Sequence, residues 1–128
     1  MTDASILVVE DDGLIALRSQ ELLTKSGYTV SDLFASGEEV LEYLESSVLP
    51  DLILMDIGLA GTMDGIETAR MVRQKYDIPI IFLSAYSNDQ RIADAKDVSP
   101  YGYIIKPFVE HQLLGCIRDA LDRRINAL

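Results

Sequence analysis

The stretch Leu52-Ile53-Leu54-Met55-Asp56 decides the fold, because it is a short apolar run that ends in a single carboxylate. Four consecutive apolar residues after Pro50-Asp51 are too few for a helix and are typical of a strand buried on both faces. Asp56 then lies at the carboxyl end of that strand, the edge at which open α/β sheets bind ligands. An isolated aspartate more often serves a turn, so its role depends on what else reaches the same edge.

Working outward, four more segments have the character of strands, and helical patterns separate them. The strands are expected at residues 5–9, 28–33, 79–84 and 103–105. Helices are expected at residues 14–26, 36–48 and about 66–72, at about 88–98, and at the carboxyl end of the chain. This strict alternation predicts an α/β fold: a doubly wound, five-stranded parallel sheet with helices on both faces. Residues 1–128 are expected to form one domain.

Apolar residues at helical spacing indicate which face of each helix is buried. The expected buried residues are Leu14, Ile15, Leu17, Leu22 and Leu23 in the first helix, Val40, Leu41, Leu44 and Val48 in the second, and Leu114, Ile117, Leu121, Ile125 and Leu128 in the last. A capping box of Ser36 with Glu39 marks the start of the second helix. The helix at 88–98 has a sparse apolar stripe and is expected to pack least firmly.

The composition excludes several classes of protein. The formal net charge of −10 over 128 residues argues against direct binding to nucleic acid, whose phosphates would be repelled. The apolar runs are only a few residues long, so no membrane span or signal peptide is expected, and a cytoplasmic location follows. The chain has one cysteine, Cys116, and one histidine, which cannot form an internal disulfide or a zinc site of their own.

Functional side chains end four of the five predicted strands. They are Glu10, Asp11 and Asp12 after the first strand, Asp56 at the third, Ser84 at the fourth and Lys106 after the fifth. Parallel strands share one carboxyl edge and lie about 4.8 Å apart, so these groups are expected to converge there. Each residue alone has a plainer interpretation, as a helix cap, a turn residue or a solvated lysine.

Converging carboxylates repel one another unless a cation joins them. Mg²⁺ suits a site of two or three acids, with Lys106 as a second positive charge and the Gly58 carbonyl as a further ligand. An oxyanion could then be held between positive charges, and Asp56 could attack phosphorus as carboxylates do in enzymes that form aspartyl phosphate. Ser84 would donate a hydrogen bond to a phosphoryl oxygen.

With these residues in this order, the sequence resembles the receiver domains of two-component response regulators over nearly its whole length. The resemblance implies a flavodoxin-like fold and a residue-by-residue set of roles. Asp56 corresponds to the phosphoacceptor, Asp11 to the direct Mg²⁺ ligand, Glu10 to a ligand through water, Gly58 to the metal-binding carbonyl, Ser84 to the phosphate-binding hydroxyl, Tyr103 to the switch aromatic, and Lys106-Pro107 to a lysine followed by a proline in a cis peptide bond.

Two departures from the family pattern concern the loop after Asp56. Ala60 stands where the family often has proline, and Met63-Asp64-Gly65 comes one residue later than in the commonest spacing. Both affect the expected shape of the loop and leave the chemistry unchanged.

The resemblance also implies a mechanism and partners. A sensor histidine kinase would present phosphohistidine to Asp56, and phosphorylation would reshape the surface formed by the 88–98 helix, the fifth strand and the last helix. The domain would assist its own phosphorylation and dephosphorylation without being a turnover enzyme. Homodimerisation through that surface, the downstream target or fused output domain, and the identity of the kinase are left open by the sequence.

Two other functions remain as alternatives. A phosphatase with an aspartyl nucleophile would carry a second acid two residues after the first, where this chain has Gly58. A flavin-binding flavodoxin-like module would need a phosphate-cradling loop after the first strand, but the acids there would repel a flavin phosphate.

Overall fold

The computed structural model describes residues 4–59, 61–85 and 98–126. It contains five strands: β1 (Ser5–Val9), β2 (Thr29–Phe34), β3 (Leu52–Asp56), β4 (Ile80–Ser84) and β5 (Gly102–Ile105). The helices in the described ranges are α1 (Gly13–Lys25), α2 (Gly37–Ser46), α3 (Gly65–Lys75) and α4 (Glu110–Asn126). The helix expected at 88–98 falls almost entirely on residues 86–97, which lie outside the described ranges.

The five strands form one parallel sheet in the order β2-β1-β3-β4-β5. This arrangement confirms the predicted doubly wound class, and β3 occupies the centre of the sheet. Alternate side chains of each strand enter two separate cores, because successive residues point to opposite faces. Leu7, Ile53 and Phe82 lie in one core, whereas Ile6, Leu54 and Ile81 lie in the other.

The apolar stripes of three helices differ from the predictions. Leu14 and Leu17 are 81% and 53% exposed, while Ala16, Ser19 and Leu23 form the buried face of α1. Helix α2 ends at Ser46, so Val48 lies beyond it and is 90% exposed. The predicted stripes of these two helices thus included residues that the structure leaves exposed.

The buried face of the last helix, α4, differs from the face that the apolar stripe predicted. Leu113, Ile117 and Ala120 are buried in the core, and Leu114 and Leu121 pack only at its margin. Ala120 has a small side chain and is only weakly apolar, so the sequence pattern did not indicate that it lies on the buried face. Ile125 and Leu128 lie outside the residues whose side chains are described.

Side-chain caps hold the starts of three helices. The carboxylate of Asp12 accepts hydrogen bonds from Leu14 N and Ile15 N, and Asp64 accepts one from Glu67 N. The predicted capping box is present, since Ser36 Oγ accepts from Glu39 N and donates to Glu39 Oε1. The capping residues Asp12 and Asp64 end the loops that follow β1 and β3, so they fix the helix-side ends of both loops. Within the described part of the chain, no helix is long and apolar enough to cross a membrane.

Candidate phosphoacceptor site

The register of the sheet brings the predicted residues to one edge. Val9 pairs with Met55, which places Glu10 beside Asp56. Asp56 pairs with Leu83, and Ser84 pairs with Ile105, the residue before Lys106. Groups up to 96 positions apart in the sequence therefore meet at the ends of four neighbouring strands.

These residues surround a cleft of about 310 Å³, whose walls include Glu10, Asp11, Asp56, Gly58, Ser84 and Lys106. Asp56 and Glu10 are each only 4% exposed and Ser84 is 1% exposed, while Asp11 lies at the open side. Ala85 also lines the cleft. Sequence reasoning did not single out Ala85, because a methyl side chain carries no chemical signature; its position directly after Ser84 was the available signal.

Lys106 joins the two buried acids. Its Nζ atom lies 3.1 Å from Glu10 Oε1 and 3.3 Å from Asp56 Oδ1. Burial alone would lower the pKa of the ammonium group, but the negative charges of Asp56 and Glu10 outweigh that effect and raise it. Lys106 therefore stays protonated and supplies a fixed positive charge inside the cleft.

The pKa of Glu10 is raised as well, but for an acid this disfavours the charged form. Burial is the main cause that raises the pKa of its carboxyl group to about 7, and the hydrogen bond and negative charge of Asp56 add to it. A hydrogen bond from Asp12 N to Glu10 Oε2, at 3.1 Å, works in the opposite direction. The ionised form of Glu10 is therefore disfavoured by its burial, although the Lys106 ammonium group lies beside it.

We expect the unfavourable ionisation of buried Glu10 to appear in the pH dependence of stability without metal. Between the ordinary pKa of 4.5 and the folded pKa of about 7, the unfolded chain has lost the Glu10 proton while the folded protein still holds it, so rising pH favours the unfolded state. In EDTA, the free energy of unfolding of the wild type should fall between about pH 4.5 and 7 by about 1 to 3 kcal/mol relative to Glu10→Gln. Urea denaturation across this range measures the difference. Glu45→Gln, at an exposed glutamate of α2, is the control, and its free energy of unfolding should change with pH as that of the wild type does. If the free energy of unfolding of Glu10→Gln also follows the wild type, the burial of Glu10 does not disfavour its ionised form.

The three acids offer a suitable ligand set for a hard divalent cation. One carboxylate oxygen from each of Glu10, Asp11 and Asp56 lies within 4.8 Å of the others. Mg²⁺ prefers such oxygen ligands and retains water at its remaining positions, which the exposed side of Asp11 permits. The residues present therefore fit the ion that the sequence predicted.

The carboxylate of Asp56 is held in a defined direction. Gly58 N donates to Asp56 Oδ1 at 3.1 Å, and Gly65, at the start of α3, packs against the main chain of Asp56. A Cβ atom at position 65 would lie 2.0 Å from the Asp56 carbonyl oxygen. The absence of a side chain at Gly65 thus allows α3 to begin directly behind the acid.

Gly65→Ala is accordingly expected to lower the free energy of unfolding by about 2 to 4 kcal/mol, because backbone atoms of β3 or α3 must move. Chemical denaturation gives the value. Gly115→Ala is a matched control: a Cβ atom there meets nothing within 4 Å, and alanine should stabilise α4 by up to about 1 kcal/mol. Equal stability of Gly65→Ala and the wild type would show that the close approach at Asp56 is not a constraint.

Two of the predicted site residues, Tyr103 and Pro107, do not line the cleft, and Pro107 lines a neighbouring pocket instead. Tyr103 is half-buried on the core side of β5, and its ring stacks on Phe82 with a centroid distance of 6.0 Å. Burial raises the pKa of its hydroxyl group. Phe82 and Tyr103 are paired in register, and Ser84 follows Phe82 by two residues, so Tyr103 and Ser84 share one face of the sheet. The Lys106–Pro107 peptide bond is cis.

A 2-1-3-4-5 strand order with acids and a lysine at the carboxyl edge places the protein among flavodoxin-like α/β domains. The family model described as "Response regulator receiver domain" matches residues 6–118. The chain therefore belongs to the receiver domains of two-component response regulators, as its residues suggested. Neither the phosphatase nor the flavin-binding alternative gains support.

Known proteins agree with this assignment. The chain is 32% identical over 118 residues to the transcriptional regulatory protein PdtaR of Mycobacterium tuberculosis, covering 92% of this chain and 57% of PdtaR. It thus spans a little over half the length of that relative. Among solved structures, the signal receiver domain of a modulated diguanylate cyclase from Desulfovibrio desulfuricans G20 has a TM-score of 0.91 and 32% identity, covering 98% of this chain and 99% of that one.

A second solved structure bears on the cation. The receiver domain of sensor histidine kinase PA1611 from Pseudomonas aeruginosa PAO1 has a magnesium ion coordinated in its active site cleft. It superimposes with a TM-score of 0.84 and 27% identity, covering 94% of this chain and 99% of that domain. A receiver domain of closely similar fold thus binds Mg²⁺ in the cleft, and this chain has an acidic cluster suited to the same ion.

Proposed function

We propose that Asp56 accepts a phosphoryl group from the phosphohistidine of a sensor histidine kinase and that the domain transmits this modification to an output partner. The observation that carries the proposal is the geometry around Asp56. A buried carboxylate lies 3.3 Å from the Lys106 ammonium group, with two further acids close enough to share a cation. Positioning and charge neutralisation are the main requirements of phosphoryl transfer, and this cleft supplies both.

In the proposed reaction, the Asp56 carboxylate oxygen attacks phosphorus in line. The new bond joins the Asp56 oxygen to phosphorus, and the bond between phosphorus and the imidazole nitrogen breaks, its electron pair staying on the nitrogen. The product is an acyl phosphate. The hydrogen bond from Gly58 N to Asp56 Oδ1 orients the carboxylate for this attack.

We propose that Glu10, Asp11 and Asp56, with the Gly58 carbonyl, hold Mg²⁺, and that Glu10 acts through water. Bound Mg²⁺ would neutralise charge on the transferred group, and its presence in the related receiver domain supports this part of the proposal. Lys106 would pair with a phosphoryl oxygen once Asp56 is modified. The clustering of three carboxylates around the Lys106 ammonium group supports a need for the cation.

Ser84 and Tyr103 are proposed to form the switch. The phosphoryl group adds about −1.5 to −2 charge at neutral pH and new hydrogen-bond acceptors. Ser84 would donate to it, and a charge-assisted hydrogen bond of about 1.5 to 3 kcal/mol, made only in the modified state, is enough to shift a two-state segment. Because Tyr103 shares the face of Ser84, a displacement of Ser84 can be transmitted to the Tyr103 ring and to the surface beyond β5.

A protein donor must cover the mouth of the cleft. Two exposed leucines, Leu14 and Leu17, lie in the first half of α1, the helix that follows the acids after β1, and Val109 follows the Lys106 turn with 48% of its surface exposed. We propose that the kinase packs against these exposed apolar side chains while its phosphohistidine enters the cleft.

We also propose a cellular role for the domain. Residues 1–128 would act as one receiver unit in the cytoplasm and would not bind nucleic acid directly, given the net charge of −10. The domain would not be a turnover enzyme, since Gly58 provides no acid two residues after Asp56. Output would come from a fused domain or a separate target, and homodimerisation through the surface formed by residues 88–98, β5 and α4 is one route to it.

The proposal is tested by incubating the purified protein with acetyl phosphate and Mg²⁺. We expect one hydroxylamine-sensitive phosphoryl group per chain, seen by intact-protein mass spectrometry, and none in EDTA. Continuous release of inorganic phosphate from many unrelated phosphate esters would favour the phosphatase alternative. A protein that stays unmodified with both the small donor and Mg²⁺ present would contradict the proposal.

A further inference from the structure

The turn after β5 carries Lys106, and its two ends are held differently. At the start of the turn, Lys106 N donates to Ser84 O at 2.8 Å and extends the pairing of β5 with β4. At the other end, Phe108 is 3% exposed and precedes the start of α4 at Glu110. The position of the Lys106 ammonium group depends on both ends of this short segment.

Arg18, on α1, contacts the second end of the turn in two ways. Its Nη2 atom donates to Phe108 O at 3.0 Å, and its guanidinium carbon lies 5.0 Å from the centroid of the Phe108 ring. A planar guanidinium group can donate to a carbonyl oxygen and stack on an aromatic ring together, which few other side chains can do. Arg18 thereby links α1 to a segment 90 residues away in the sequence.

A pocket between α1 and the turn limits the other contacts between them, so the contact of Arg18 with Phe108 matters more for the position of the turn. The open pocket has a volume of about 420 Å³, and its walls include Ile15, Arg18, Lys106, Pro107 and Phe108. Although the Phe108 ring is buried in the core, the atoms of the turn that line the pocket lack packing partners on that side, so packing holds this face of the turn less firmly. Arg18 spans this gap and adds a directional contact to the turn that carries Lys106.

We propose that Arg18 is a positioning residue for phosphoryl transfer: through Phe108 it holds the turn that aims Lys106 at Asp56 and Glu10. This inference rests on the proposed function, since it assigns Arg18 a role in the same reaction. Arg18 does not line the cleft that contains Asp56 and acts on the phosphoryl group only through Lys106.

The test is a double-mutant cycle on the rate of phosphorylation by acetyl phosphate with saturating Mg²⁺. Arg18→Met should slow the reaction about 3- to 10-fold in the wild-type background but less than about 2-fold in a Lys106→Met background, because coupled residues are not additive. Arg73→Met is the matched control. Arg73 also donates to a backbone carbonyl, that of Ile78. This residue precedes β4, at the end of the sheet away from the cleft, so Arg73→Met should leave the rate unchanged.

A merely structural Arg18 would slow both backgrounds by the same factor, and this result would overturn the inference. A rate for Arg18→Met equal to that of the wild type would also overturn it, and both results leave the proposed function intact. Failure of the wild type itself to become phosphorylated would remove the proposed function and this inference with it. Urea midpoints of each variant identify any loss of rate that is caused by unfolding.

Discussion

Asp56→Asn is expected to abolish phosphorylation by acetyl phosphate in the presence of Mg²⁺, with a loss of at least about 100-fold in the rate. The amide has nearly the shape of the carboxylate and keeps an oxygen that can accept from Gly58 N, so the strand end should remain in place. It lacks the ionised oxygen that would attack phosphorus. The expected defect is therefore chemical, and intact-protein mass spectrometry with and without donor measures it directly.

Asp77→Asn is the control for this substitution. The side chain of Asp77 is 98% exposed and forms a salt bridge with Arg73 away from the cleft. The same change of charge at Asp77 should therefore leave phosphorylation unaffected. The assignment of Asp56 as phosphoacceptor would be wrong if Asp56→Asn still acquired one hydroxylamine-sensitive phosphoryl group per chain. Circular dichroism and urea midpoints would establish that the variant is folded.

The second large effect concerns the cation. Mg²⁺ at about 100 times its dissociation constant should raise the free energy of unfolding of the wild type by about 2 to 3 kcal/mol, because it binds only the folded site. Asp11→Asn should lose most of this stabilisation, since it removes one of the three clustered carboxylates. Thermal unfolding at increasing Mg²⁺ concentration gives both values, and isothermal titration calorimetry gives the affinity.

Asp12→Asn provides a close comparison. Asp12 is adjacent in the sequence, but its carboxylate accepts from Leu14 N and Ile15 N as the cap of α1, and asparagine caps helices equally well. This variant should keep the response to Mg²⁺. An equal response of Asp11→Asn and Asp12→Asn would show that the stabilisation comes from the general negative charge of this edge and not from a defined site.

Burial patterns show where sequence reasoning succeeded and where it failed. The strands β3 and β4 were found because an uninterrupted apolar run has few other stable environments. The faces of the helices were less well predicted: Leu14 and Leu17 fit a helical stripe but are exposed. Periodicity identifies residues that could face a core, but it does not show how far the sheet extends to cover them.

The candidate site shows the same division. Glu10, Asp11, Asp56, Ser84 and Lys106 could be expected to meet, because parallel strands end at one edge of the sheet. Their separate environments could not be predicted. The pairing of Lys106 with both Glu10 and Asp56, and the burial that raises the pKa of Glu10 to about 7, depend on distances between strands that are remote in sequence.

The sequence by itself determined the class of fold and the edge at which chemistry would occur. Both follow from local properties, namely the spacing of apolar residues and the polar residues that end each strand. Only the tertiary structure decided the close packing of Gly65 behind Asp56 and the contact of Arg18 with the Lys106 turn. These contacts arise from sheet register and helix rotation, which are set jointly by the packing of the whole core and leave no signature at either residue alone.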